Sequence, residues 1–231
     1  PRLWAYQGGV LKFSPNQSGV YRIRDEIDAE FRINADGWNS RHPDYEALRK
    51  TGKPRICIIG DSYVEALQVP FTSSFSERLE DLLGDSVDSV YRFGLSGAPL
   101  SQYLYMLEQE VLQYHPQIVV INMVPNDFLE SIVSGGGTYW SSFSTLQFEE
   151  GGIVKAKVPD VYSASASWWI KRSAIFRYFW VRYQIRPQAL KEIWNGIFGT
   201  RSETTVYTGN ISADSATDPR VPVIIDFVFS R

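Results

Sequence analysis

The chain has 231 residues, 44% of them hydrophobic and 21% charged, with a formal net charge of −3. A chain of this size and apolar content can bury a sizeable core, which excludes a disordered protein. Both charge signs are interspersed without a basic stripe, so nucleic acid is not an expected partner.

The single cysteine, Cys57, has no partner for an intrachain disulfide and reads as a small core residue within Arg55-Ile56-Cys57-Ile58-Ile59. No run approaches the ~20 apolar residues of a membrane span. The chain opens at Pro1 and closes just after an apolar run, and is expected to be part of a longer protein. A segment ahead of Pro1 could carry a membrane anchor or a signal peptide, so the compartment is left open, the bacterial cell envelope and secretion included.

In chain order, residues 1–53 are polar and turn-rich, with a weak alternating stretch from Val20 to Ile33, and are expected to form an N-terminal arm of short strands. Residues 54–231 form the main domain. Ile56 to Ile59 is a β-branched run suited to a strand covered on both faces. After Pro70, Ser74-Phe75-Ser76-Glu77 has capping-box spacing, and Phe75, Leu79, Leu82 and Leu83 share one face of the expected helix. Val87 to Phe93 is the second strand. Leu100, Leu104, Leu107 and Val111 then recur at helical spacing behind Pro99, in a helix expected to stop near His115-Pro116.

Ile118 to Ile121 is expected as a third buried strand, and the run around Val223 as a fourth, after an insertion at about 132–220. Within that insertion Trp169, Phe176, Phe179, Trp180 and Tyr183 gather on one side of an expected helix at 168–183. Packing on the sheet is its plainer role; a lid, an acyl-chain platform or a membrane-surface helix is the sharper one. Strands alternating with amphipathic helices point to an α/β fold with a mostly parallel sheet.

Such sheets hold ligands at the carboxyl ends of their strands. Gly60-Asp61-Ser62 follows the first strand, Gly94-Leu95-Ser96-Gly97 the second, and Asn126-Asp127 the third. Acyl transfer needs a hydroxyl nucleophile and donors aimed at the oxyanion. Ser62 offers the hydroxyl and a helix-start N–H, Gly97 a backbone N–H without a side chain, and Asn126 a neutral amide. Asp61 is expected to brace the turn. Taken singly, the three have plain roles as an N-cap, a turn and a strand-end turn.

The run Ile58-Ile59-Gly60-Asp61-Ser62-Tyr63-Val64 resembles the first sequence block of SGNH (GDSL-like) hydrolases, with Ser62 matching their nucleophile. Phe93-Gly94-Leu95-Ser96-Gly97 resembles the second block and Val124-Pro125-Asn126-Asp127 the third, with Gly97 and Asn126 matching the oxyanion-hole residues. Arg32-Ile33-Asn34-Ala35-Asp36-Gly37-Trp38 resembles the arm of a bacterial branch, so the similarity runs over about residues 28–130.

The resemblance implies a flavodoxin-like three-layer α/β/α sandwich, incomplete at the C-terminus, in an esterase, lipase or acetylesterase. The substrate would be a small-molecule, lipid or carbohydrate ester, and neither a metal nor an organic cofactor is needed. Two departures stand out. Val124 replaces the family's usual Gly, and no Asp-x-x-His signature is present. The only histidines are His42 and His115. His115 precedes the third strand, roughly 20 Å from Asn126 at about 3.3 Å per strand residue, and is no candidate base. His42 belongs on the arm. The catalytic Asp and His are therefore expected outside this chain, and the alternative is a catalytically dead module that binds an acyl or carbohydrate ligand.

Overall fold

The computed structural model describes residues 3–7, 10–23, 25–46, 50–132, 142–148, 154–157 and 218–230. The arm opens with two antiparallel hairpins, β1 (Leu3–Gln7) with β2 (Val10–Phe13) and β3 (Gln17–Ile23) with β4 (Ile27–Ile33). In β4, Ala29, Phe31 and Ile33 alternate inward, as period-two geometry demands of a strand with one covered face.

The main domain centres on a three-stranded parallel sheet in the order β6-β5-β7, formed by Ser89–Gly94, Arg55–Gly60 and Ile118–Ile121. β5 lies between the other two, and all six of its residues are buried. Its Ile56, Ile58 and Ile59 side chains each contribute about 1.5–3 kcal/mol by leaving water. Between the strands run α1 (Ser62–Glu65), α2 (Phe75–Leu83) and α3 (Leu100–Met106), and α4 (Pro125–Glu130) follows β7. A small hairpin, β8 (Thr145–Phe148) with β9 (Val154–Lys157), and α5 (Val221–Phe229) complete the described elements.

Each side of the sheet has its own apolar cluster. Cys57, Ile59, Tyr91 and Phe93 join Leu100, Tyr103 and Met106 of α3 and the arm residues Leu11, Phe13, Phe31 and Trp38. Ile56, Ile58 and Val90 pack with Val64, Leu79 and Leu83. The chain is thus an α/β protein whose arm shares the main core. At the sheet's amino edge the buried Arg55 guanidinium pairs with Asp88 at 2.9 Å and donates to the Glu46 and Tyr114 carbonyls. Burial pushes the Cys57 thiol up to about 12.

Several elements differ from expectation. The run around Val223 is helical: Pro222 fits a first turn, and Val221, Ile224 and Val228 are buried at spacings of three and four, packing toward α3 and α4. β7 is an outer strand among the described residues, with Ile118 46% and Val120 38% exposed, so only one of its faces is covered.

In α2 the buried positions include Ser76 and Glu77, while Phe75 and Leu82 face solvent. The Ser74 side chain makes no cap hydrogen bond there, and Glu77 turns to Arg41 at 2.9 Å, so the expected capping box is not formed. Beyond α3 the helix widens to a π-type turn over Leu107–Val111 and tightens to 3₁₀ over Leu112–Tyr114, then stops at His115 with φ 50°. The helix expected at 168–183 lies outside the described residues.

Candidate active site at the carboxyl edge of the sheet

The three strands end side by side. Gly60 and Gly94 are register partners, Leu95 N–H donates to Gly60 O at 3.2 Å, and Asn122 N–H donates to Ile59 O at 2.9 Å. The turns carrying Ser62, Gly97 and Asn126 therefore leave one edge of the sheet. The strand order reverses between β5 and β7, and such switch points are where open parallel sheets form their crevice.

Ser62 is the first residue of α1 and is half-buried. Asp61 is the N-cap: its Oδ1 accepts from Tyr63 N–H at 3.0 Å and its Oδ2 from Ser62 Oγ at 3.4 Å, so it braces the turn. A single helical turn suffices because α1 lies directly against β6. A Cβ on Gly94 would fall on the backbone of Glu65, so only glycine allows this approach.

Gly97 has φ 77°, a left-handed conformation, and open space where a side chain would stand. Its N–H makes no backbone hydrogen bond among the described residues, which leaves it available to a ligand.

Asn126 lies in the first turn of α4 behind Pro125. Val124, in place of a glycine, has φ −117° and ψ 156°, ordinary extended backbone for a β-branched residue. The Asn126 amide donates to the Glu130 carboxylate one turn on.

The surrounding charges are acidic. Asp127 is fully buried, and its Oδ2 accepts from Val124 N–H at 2.8 Å and from the Tyr103 hydroxyl at 2.9 Å. Burial pushes its carboxyl up to about 7, with Asp61 and Glu130 adding to the rise. Glu130 is raised by burial and by Asp61. Glu65, at the end of α1, is also buried and is pushed up to about 7 despite hydrogen bonds from Ser96. Glu65, Tyr103 and the role of Asp127 were not foreseen from sequence. Glu65 sits one helical turn after Ser62, which is the one signal that could have drawn attention to it.

Neither histidine lies at this edge. His42 Nε2 pairs with Glu80 at 2.9 Å and packs against Tyr91, three residues or about 10 Å back from Gly94 along β6. His115 is at the opposite edge, where its carbonyl accepts from Gln117 and Gln117 N–H donates to Arg55 O. His42, Glu77 and Glu80 have the composition of a cation site, but the Arg41 guanidinium already pairs with both carboxylates at 2.9 Å. A cavity of about 440 Å³ is lined by Ile132, Leu146, Gln147, Phe148 and Arg220, and includes none of the three strand-end residues.

Compared with family models, with curated proteins and with solved structures, the chain matches none of them.

Proposed function

We propose that the chain is the nucleophile-bearing part of an SGNH-type serine ester hydrolase, built on a flavodoxin-like three-layer α/β/α sandwich. The observation that carries this reading is the common exit of the three strand ends around the switch between β5 and β7. In the reaction Ser62 Oγ attacks the ester carbonyl. The N–H groups of Ser62 and Gly97, with the Asn126 amide, hold the tetrahedral oxyanion. A histidine outside residues 1–231, oriented by an Asp, accepts the Ser62 proton and later returns it to the leaving alcohol.

The test is labelling of the intact protein with an alkyl fluorophosphonate, followed by mapping of the adduct. A single adduct on Ser62, absent in Ser62→Ala, is the expected result. Equal labelling of the Ser62→Ala protein would remove the basis for the reading.

The placement of His42 and His115 away from the edge favours a second reading, a module that binds an acyl or carbohydrate ligand without cleaving it. It predicts saturable ester binding with no turnover in the intact protein, and loss of that binding in a Gly97→Val variant.

A further inference from the structure

The carboxylate of Glu65 connects two of the three turns. It is carried at the end of α1, one turn after Ser62, and is buried. The Ser96 hydroxyl donates to Glu65 Oε2. Ser96 is the residue before Gly97. The loop between them has few other restraints: Leu95 N–H is tied to Gly60 O at 3.2 Å and Ala98 N–H to Leu95 O at 3.0 Å. Glu65 is itself anchored, because its carbonyl accepts from Asn39 Nδ2 at 2.9 Å.

We infer that Glu65 is a positioning residue, whose hold on the Ser96 hydroxyl sets the direction of the Gly97 N–H relative to Ser62. The inference rests on the ester-hydrolase reading for its consequence, though the grip is a property of the fold. A carboxyl suits the task because its oxygen accepts from the Ser96 hydroxyl while the Glu65 backbone is held by Asn39. A side chain that only filled the space beneath α1 would need no acceptor oxygen. Ionisable groups are rarely buried without such a use, since desolvation disfavours the charged form.

The test compares Glu65→Gln, Glu65→Ala and Ser96→Ala in the intact protein, with Ser62→Ala as the blank. Two readouts are taken: kcat and KM on a short-chain p-nitrophenyl ester, and the ¹⁵N–¹H resonance of Gly97, with Gly84 as a remote reference. Misaiming one donor by a fraction of an ångström is expected to lower kcat by about 10- to 100-fold in Glu65→Ala, with KM unchanged within about twofold. Glu65→Gln keeps an acceptor and should recover most of that loss. Ser96→Ala, a smaller change, should move the Gly97 resonance in the same direction as Glu65→Ala, while Gly84 stays in place.

An unmoved Gly97 resonance in both alanine variants overturns the inference, as does a kcat within about twofold of the parent. Should Ser62→Ala retain full turnover, the ester-hydrolase reading fails, and the resonances alone still decide whether Glu65 holds the loop.

Discussion

The Tyr103 hydroxyl on α3 reaches across to Asp127 Oδ2 at 2.9 Å, joining the helix after β6 to the turn after β7. The same carboxylate oxygen holds Val124 N–H at 2.8 Å, and Ser131 Oγ, bonded to the Asp127 carbonyl at 2.8 Å, accepts from Ser101 N–H. The turn bearing Asn126 is therefore fastened to the start of α3 at two points. Tyr103→Phe leaves the buried carboxylate short of a donor and should cost about 1–3 kcal/mol in urea unfolding. The loss should be larger at pH 8, where Asp127 is ionised, than at pH 5. An equal loss at both pH values would place the effect in packing alone.

Glu65 and Asp127 give stability a defined pH dependence. Both carboxyls are pushed by burial to about 7, from ordinary values of 4.5 and 3.8. A raised carboxyl binds its proton more tightly folded than unfolded, so this stability is fully present below the unfolded value and is lost as pH rises through 7. For Glu65 the loss is on the order of 3 kcal/mol, since each tenfold difference in proton affinity between folded and unfolded chain is worth about 1.4 kcal/mol. Thermal melts should fall between pH 5 and 8, and Glu65→Gln should flatten part of that slope. A midpoint that rises over this range would contradict the assignment.

The pair between Glu77 and Arg92 is buried at 3.6 Å, with both side chains about 1% exposed. Glu77→Ala strands the Arg92 guanidinium with the Phe71 carbonyl, 3.3 Å away, as its hydrogen-bond acceptor among the described residues. Removing one partner of a buried pair costs about 3–5 kcal/mol, whereas replacing both by apolar groups is often nearly neutral. Chemical denaturation should show Glu77→Ala strongly destabilised and Glu77→Ala/Arg92→Met partly restored. A double variant weaker than the single one would argue against this account.

Because His42 is tied to Glu80 and His115 lies at the other edge, neither histidine of the chain is placed to act as the base that the proposed reaction needs at Ser62. The isolated chain should hydrolyse p-nitrophenyl acetate at no more than the ~10³–10⁴-fold over water that serine hydrolases retain without their triad. Ser62→Ala and His42→Ala should each change that rate by less than about twofold. A His42-dependent rate would bring the arm into the chemistry.

Much of the sheet was legible in the sequence, because Ile56 to Ile59 and Ile118 to Ile121 are β-branched runs between turn signals. The positions of Ser62, Gly97 and Asn126 after successive strands were legible for the same reason. Covering was not: β7 is as continuously apolar as Ile56–Ile59 of β5, yet among the described strands only β5 is paired on both sides. Val221–Phe229 misleads because continuous apolarity does not separate a strand from a packed helix, and burial at 221, 224 and 228 emerges only in the fold. The acidic lining of the edge escapes sequence reading altogether, since Glu65 and Asp127 look like solvated helix residues until α1 and α4 are set against their neighbours.

Cys57 has a consequence beyond packing. It is the chain's single thiol, sits at zero exposure in the middle of the central strand, and is held protonated by its burial. An alkylating reagent can reach it only after β5 separates from its neighbours, so the rate of thiol modification in native buffer is a built-in clock for opening of the sheet.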